Sequence, residues 1–346
     1  ALAAPHGQTL VLDVGEKPAS QSVALPHPSR LEALGQPGTD LFDLMIGPDF
    51  DGTALVGGDT TLSPKLKAPL MRYITRNWER LSPVTSKGFD PQMSFSKGGL
   101  ANAWGAGVYR FNDTELEGFP IQAKDLEPFY DTLTQHIGVS GATDDLSTSF
   151  GSTKHLQPPL RMNRGPRLIH DQYRKHHAAF NAAGFRIGRP RLAVLSHEHQ
   201  GRSAYSYNNL EFFTPNDQSI YSPDITLRKL QSEGRIEYVS GLLVESYHES
   251  STGVEVRARD LRTHALHPFK ADRIAIAAGC LNSAKIVLRS EHRIGVKLPL
   301  LDNVISYVPL LNPALIGARA ERRCFGMGQL NIIYEGARSK ESIQGT

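Results

Sequence analysis

A glycine-rich segment around Trp104 has the composition expected of backbone that packs against a flat ligand. Four glycines are interleaved with this tryptophan at positions 97–110, where the sequence is KGGLANAWGAGVYR. Glycine has no Cβ, so its main chain can approach a pyrophosphate or a ring face closely and can adopt positive φ angles that other residues avoid. We interpret the segment as a flavin contact. Taken alone, the pattern also fits a buried glycine turn beside a core tryptophan.

The residue types within this segment suggest separate roles. Gly98 and Gly99 would offer unhindered amides to a flavin or its pyrophosphate. Asn102 would hydrogen-bond the ring system, and Trp104 would pack beside it. Gly105 belongs to the same predicted contact.

An acidic residue near the start of the sequence has the position of a ribose ligand. Residues 9–16 read TLVLDVGE, a short apolar strand that ends at Asp13 and is followed by Gly15, which we also predict to be a cofactor contact. An acid at the carboxyl end of such a strand accepts hydrogen bonds from ribose hydroxyls, and its charge repels a 2′-phosphate, which favours FAD or NAD over NADP. The alternative is an acid in a surface turn.

A third segment, at 273–288, reads as a strand, a tight turn of small residues and a helix. Ala278 and Gly279 lie in the turn, and Asn282 lies where the helix begins. Between the second and third segments, the sequence contains FPI at 119–121, DLEPFY at 125–130 and GVSG at 138–141.

These segments, in this order, resemble the glucose-methanol-choline (GMC) oxidoreductase family, and the resemblance covers most of the chain. It implies an FAD-dependent enzyme that oxidises a CH–OH group of an alcohol, such as a sugar, polyol or sterol, by hydride transfer to the flavin. Ala103 stands where certain relatives carry a histidine that joins the flavin covalently, so we expect non-covalent FAD. The electron acceptor is not specified by the sequence.

The resemblance extends to further positions. It implies that Val244 lies on the strand whose backbone faces adenine, and that Ala278 and Gly279 let the helix near Asn282 approach the FAD diphosphate. In the family, a strand and a Gly-x-Gly-x-x-Gly turn precede the helix that residues 1–4 resemble, and the catalytic histidine lies well downstream. We therefore expect a fragment that lacks both, and we name no catalytic residue.

Two other functions compete with this one. Asp13 also fits a nicotinamide-dependent reductase, although the segment at 97–110 has no role in such an enzyme. A different class of function is a catalytically incomplete remnant that binds flavin weakly or serves only as a protein-binding partner.

The pattern of apolar residues predicts the elements that would position these groups. We expect an irregular excursion at 17–63, and an amphipathic helix at 168–183 with Ile169, Tyr173 and Phe180 on its buried side. The clearest helix is at 125–137, with Gly138 as its C-cap. Strands are expected at 185–195, with a bend at Pro190, and at 236–247, 254–259, 265–278, 304–308 and 330–334.

These elements predict an α/β chain, α+β overall. A Rossmann-like FAD-binding domain would consist of discontinuous segments, and the substrate domain would contain an antiparallel sheet. We assign 1–150 and 205–298 to the FAD-binding domain, and 151–204 and 299–346 to the substrate domain.

Composition narrows the function classes. The 346 residues carry a net charge of +3 and lack long basic blocks with interleaved aromatics, so nucleic-acid binding has little support. No apolar run approaches the roughly 20 residues that span a bilayer, so we expect a soluble protein. We treat Cys280 and Cys324 as structural, with Cys280 buried in its turn. The histidines of HEH at 197–199 lack a recognisable third ligand, so no metal is predicted.

Overall fold

The computed structural model describes residues 8–18, 64–89, 91–211, 218–300, 308–319, 321, 323–335 and 342–345. The excursion predicted at 17–63 and the strand predicted at 304–308 lie almost entirely outside these residues.

The described chain contains α-helices, 3-10 turns and β-strands. The helices are α1 (Pro64–Lys67), α2 (Trp78–Leu81), α3 (Ala123–Ile137), α4 (Ser147–Phe150), α5 (Arg164–Lys175), α6 (His177–Ala182), α7 (Pro223–Ser232) and α8 (Cys280–Ser290). The 3-10 turns are Pro69–Ile74, Gly99–Asn102 and Pro313–Leu315. The strands are β1 (Thr9–Leu12), β2 (Phe185–Gly188), β3 (Ile236–Val239), β4 (Leu242–Ser250), β5 (Gly253–Asp260), β6 (Leu266–Ala271), β7 (Asn331–Glu335) and β8 (Ser342–Gly345).

The described strands form three small sheets. β1 pairs in parallel with β3, so that Val11 lies opposite Tyr238. Strands β4, β5 and β6 form an antiparallel meander, and β2, β7 and β8 form a second antiparallel sheet. The architecture is therefore mixed, of the α+β type that the sequence predicts. A Rossmann-like FAD-binding domain stays a prediction.

Two compact units divide the chain. Among the described residues, the first unit comprises 8–18, 64–89, 91–102, 223–300 and 308–311, and the second comprises 103–211, 218–222 and the remainder from 312. Each unit is built from segments that are distant in sequence. The assignment of such segments to a cofactor domain and a substrate domain also stays a prediction.

Alternating apolar residues on β5 form part of the core of the first unit. Val254, Val256 and Ala258 on β5 are buried, while Arg257 between them is exposed. This period of two is what one buried sheet face requires. Helix α8 packs on β4 and buries Ile286.

The second unit has its main core around a segment that the sequence predicted as part of a strand. The core comprises Ala106, Leu160, Leu192, Ala193, Val194, Tyr205, Ile220, Phe325 and Met327. The prediction of one strand over 185–195 was too long, because β2 ends at Gly188, before Pro190. Proline lacks the N–H that a ladder needs and restricts the residue before it. Residues beyond it pair only through isolated bridges, such as Leu192 with Gly107.

The helix predicted at 125–137 is confirmed, and it begins two residues earlier, at Ala123. A capping box starts it, in which the Asp125 carboxylate accepts from the Gln122 N–H at 2.9 Å. Gly138 caps its end with a φ of 77°. The apolar side of this helix is largely open, since Phe129 is 64% exposed and Leu133 44% exposed.

Other predictions at this level were wrong in part. The helix predicted at 168–183 is divided at His176 into α5 and α6, and of its predicted buried side only Tyr173 is buried, with Ile169 and Phe180 exposed. The strand predicted at 265–278 ends at Ala271, because residues 273–278 have no ladder partner among the described strands. Cys280 is exposed rather than buried, since the turn before α8 lies at the surface.

Candidate cofactor-binding site

The site is built on the carboxyl end of β1, in the first unit. The backbone N–H of Asp13 donates to the carbonyl of Val239 at 3.0 Å, and its carbonyl accepts from the N–H of Leu242 at 3.0 Å. The parallel pairing of β1 with β3 is thus continued at Asp13, and the start of β4 lies on its other side. Backbone bonds on both sides hold this half-buried residue in place.

A backbone bridge joins the end of β1 to the glycine loop. The N–H of Glu16 donates to the carbonyl of Phe95, and the N–H of Lys97 donates to the carbonyl of Glu16, each at 2.9 Å. The Glu16 carboxylate also binds Arg76 and accepts from the Asn77 side chain at 2.8 Å. Glu16 lies three residues after Asp13, so the segment that begins at Lys97 is held close to Asp13. About eighty residues of sequence separate Lys97 from Glu16.

The two glycines of this loop differ in their surroundings. Gly98 has a φ of 99°, and a Cβ added to it would lie 2.7 Å from Oδ1 of Asn102. The Asn102 amide donates to the Lys97 carbonyl at 3.0 Å and to Ser96 Oγ at 3.1 Å. Asn102 thus closes the loop on itself. Gly99 has a φ of 65°, and nothing lies within 4 Å of the point that a Cβ would occupy, so its surface is open to a ligand.

The Asp13 carboxylate lies among polar groups. The Tyr238 hydroxyl donates to its Oδ2 at 2.8 Å. Burial raises the pKa of Asp13 above its ordinary value, against the opposing effects of the Tyr238 hydrogen bond, the N–H groups of Gly15 and Val14, and the charge of Lys97. In its ionised form the Asp13 carboxylate can accept further hydrogen bonds from a ligand.

The start of α8 carries the third predicted group. Gly279 has a φ of 80° with open space beside it, and Ala278 is exposed. Asn282 is buried, and its Oδ1 accepts from Ser82 Oγ at 2.7 Å. Ser82 also accepts from Lys285 Nζ at 3.0 Å. Asn282 therefore anchors α8, and Gly279 and Ala278 are the positions that a ligand could reach.

Helix α2 connects the two parts of this site. Asn77 precedes it and binds Glu16, and Ser82 follows it and binds Asn282. Ser82 lies five positions after Asn77, a rise of about 7–8 Å along a helix. The end of β1 and the start of α8 consequently lie on either side of one short helix.

Val244 lies on β4, two residues after the Leu242 N–H that bonds Asp13. It is half-buried, pairs with Ala258 and precedes a bulge at Glu245. The backbone bond between Leu242 and Asp13 therefore places Val244 two residues along β4 from the site.

Trp104 and Gly105 belong to the second unit. The indole Nε1 of Trp104 donates to the Tyr221 carbonyl at 2.8 Å, and the ring packs against the core of that unit. This contact is the core role that the sequence left open as the alternative. Gly105 is exposed, with open space at its Cβ position. The first unit brings together Asp13, Gly15, Gly98, Gly99 and Asn102, and the boundary between the units falls between Asn102 and Ala103.

Sequence reasoning missed Tyr238 and Lys97. Tyr238 is the third residue of a four-residue strand, IEYV, and a tyrosine there is indistinguishable from a packing residue. Lys97 was named only as the edge of the glycine segment. Its ammonium lies 5.0 Å from the Tyr238 ring centroid and 3.0 Å from Oδ1 of Asp224. The pairing of β1 with β3 brings Tyr238 to Asp13, and the backbone bridge at Glu16 brings Lys97 there.

Within the described residues, no group of three or more His, Cys, Asp or Glu side chains is arranged to hold a metal ion. None of the helices described is both long and apolar enough to cross a bilayer. A scan against models of known protein families finds no match for the chain, and no curated protein is significantly similar to it in sequence.

Proposed function

We propose that this chain binds FAD non-covalently and belongs to an enzyme of the GMC type that oxidises a CH–OH group of a sugar, polyol or sterol. The observation that supports this most is the backbone bridge from Glu16 to Phe95 and Lys97. It sets an acidic residue and a loop with an open glycine side by side, as a cofactor with a ribose and a diphosphate requires.

The residues of the site fit such a cofactor. The carboxylate of Asp13 would accept hydrogen bonds from the ribose hydroxyls of the adenosine half. Gly99 and Gly279 have positive φ angles and open Cβ positions, so backbone at both points is accessible to a diphosphate. The N-terminus of α8, an eleven-residue helix that follows Gly279, adds a favourable field for negative charge.

When bound, FAD supplies the acceptor for the hydride that leaves the alcohol carbon. The chain would hold the cofactor through its adenosine and diphosphate and would exclude a 2′-phosphate by the charge of Asp13. Ala103 is buried and has no nucleophilic atom, in keeping with non-covalent binding at this position. We assign the base of the reaction to none of the described residues.

Titration with FAD tests the proposal directly. We expect saturable one-to-one binding of FAD, measured by the quenching of flavin fluorescence. ADP should compete with FAD for the site. Asp13→Ala should weaken binding by about 1–3 kcal/mol, because a charged hydrogen bond to ribose is lost. Asp272→Ala removes an exposed carboxylate of the same unit and should leave the affinity unchanged.

The oxidation itself is tested by adding alcohols to the FAD-loaded chain without oxygen. Loss of the oxidised flavin spectrum on addition of a sugar, polyol or sterol would support the activity. The experiment needs no external electron acceptor, because the flavin itself accepts the hydride. Failure of FAD to bind the wild-type chain overturns the proposal. Saturable binding of NAD in place of FAD would favour the nicotinamide-dependent alternative.

A further inference from the structure

The Tyr238 hydroxyl occupies a position that is available only because residue 15 is a glycine and has no side chain. A Cβ on Gly15 would lie 2.5 Å from the Tyr238 oxygen and 2.9 Å from Cβ of Ser240. Both distances are shorter than any real Cβ contact, so a side chain at position 15 would displace the phenol. Gly15 also has a φ of 68° and is buried. Gly15 therefore makes room for a contact within the protein.

Two further groups hold the Tyr238 ring. The register of β1 and β3 places Tyr238 opposite Val11, so its side chain reaches along the sheet to Asp13. Lys97 lies over the ring, and Asp224 and Gln231 fix the Lys97 ammonium at 3.0 and 3.3 Å. The Tyr238 phenol is thus held by the pairing of β1 with β3 on one side and by the Lys97 ammonium on the other.

The hydrogen bond from Tyr238 uses only part of the capacity of the carboxylate. An ionised carboxylate has about four acceptor sites. Tyr238 takes one on Oδ2, and the N–H groups of Val14 and Gly15 face the same carboxylate. A carboxylate restrained in this way has a fixed orientation and still retains a site for a ligand hydroxyl.

We propose that Tyr238 is a positioning residue for the adenosine subsite: its hydroxyl orients the Asp13 carboxylate so that a remaining oxygen site accepts from the 2′-hydroxyl of the ribose. Gly15 serves this subsite by admitting the Tyr238 phenol, instead of contacting the cofactor. The inference rests on the proposed function and deepens it, since it names the residues that select a free 2′-hydroxyl.

The arrangement predicts a shift in the pH dependence of binding. The ribose hydrogen bond is stronger to the ionised form of Asp13 than to the neutral form, so affinity should fall as the pH drops through the pKa of Asp13. The groups that face this carboxylate are Tyr238 from β3, Lys97 from the glycine loop and the two amides of its own strand end. The Tyr238 hydrogen bond lowers the pKa of Asp13. Its removal should move the loss of affinity to higher pH.

The test compares ADP with 2′-deoxy-ADP on the full chain and on Tyr238→Phe, over a pH series. We expect the wild-type chain to prefer ADP by about tenfold, the equivalent of one hydrogen bond to a charged group. Tyr238→Phe should reduce this preference to about threefold or less, and should lose affinity at a higher pH. Tyr247→Phe is the matched control, because the Tyr247 hydroxyl also donates to a carboxylate, that of Glu291 at 3.2 Å.

The outcomes separate the inference from the proposed function. If wild-type chain binds FAD and prefers ADP, but Tyr238→Phe keeps the wild-type preference and pH midpoint, only the inference is overturned. If FAD does not bind at all, both fail. Circular dichroism confirms folding of each variant. If Tyr238→Phe does not fold, Lys97→Met takes its place: it removes the ammonium that lies over the Tyr238 ring, and it should reduce the preference for ADP in the same way.

Discussion

Two pairs of glycines in the first unit share positive φ angles and differ in what surrounds them. Gly15, Gly98, Gly99 and Gly279 have φ angles of 68°, 99°, 65° and 80°. The Cβ positions of Gly15 and Gly98 are taken by Tyr238 and Asn102, whereas those of Gly99 and Gly279 face open space. We call the first two closed glycines and the last two open glycines.

The difference teaches that a glycine-rich motif serves two purposes at once. A closed glycine allows a neighbouring side chain to approach, and its replacement disturbs the protein's own packing. An open glycine leaves backbone uncovered, and its replacement mainly affects a ligand. Substitutions at the two kinds of glycine separate these effects.

The largest effect is expected at Gly15. Gly15→Ala should lower the free energy of unfolding by about 2–3 kcal/mol, because the left-handed backbone costs about 1–2 kcal/mol for a residue with a Cβ and the Tyr238 hydrogen bond is worth about 1 kcal/mol more. Gly234→Ala is the control, since Gly234 has a φ of 66° and open space beside it. Urea unfolding of both variants measures the difference. Equal losses would contradict the distinction between closed and open glycines.

Gly98 should show a smaller loss of the same kind. Gly98→Ala must displace the Asn102 amide, a flexible group, so we expect a loss of about 2 kcal/mol, most of it from backbone strain. Gly88→Ala, at a φ of 85° with open space, is the comparison. The same unfolding experiment applies, and a loss at Gly98 no greater than at Gly88 would mean that Asn102 yields without cost.

For the open glycines the expected effect moves from stability to binding. Gly99→Val should abolish FAD binding, because the side chain fills the space that the cofactor would occupy. Its stability should match that of Gly234→Val, which carries the same strain at a φ of 66°. Flavin fluorescence and urea unfolding are measured on both variants. Unchanged FAD affinity in Gly99→Val would remove the loop from the site.

The smallest effect concerns Asp13 itself. Burial raises the pKa of Asp13 in the folded chain, so the native state holds this proton more tightly than the unfolded state does. Its contribution to stability therefore declines as the pH rises from below about 3.9, the unfolded value, through the raised folded value. Asp13→Asn removes this titration, and it should be slightly more stable than wild type at neutral pH.

That advantage of Asp13→Asn should vanish at pH values below the unfolded pKa, where both residues are neutral. Thermal unfolding at several pH values measures it. A variant that is less stable than wild type at neutral pH would show that the charge of Asp13 stabilises the fold.

Local signals predicted the local structure well. The amphipathic pattern at 125–137 and Gly138 were sufficient for α3, because a helix and its cap depend on neighbours in sequence. The strand before Asp13 was correct for the same reason. Predictions failed where the outcome depended on distant partners, as at 273–278, where no described strand pairs with the segment.

The sequence by itself determined which residues could serve a cofactor: an acid after an apolar strand, and glycines where backbone must adopt positive φ. It did not determine which of them face a ligand. Tertiary structure decided that Tyr238 occupies the space beside Gly15, that the space beside Gly99 is open, and that Trp104 packs against the core of the second unit. The physical reason is that positive φ is a property of a single residue. The space beside a Cα depends instead on segments that pair with it from more than two hundred residues away in the same chain.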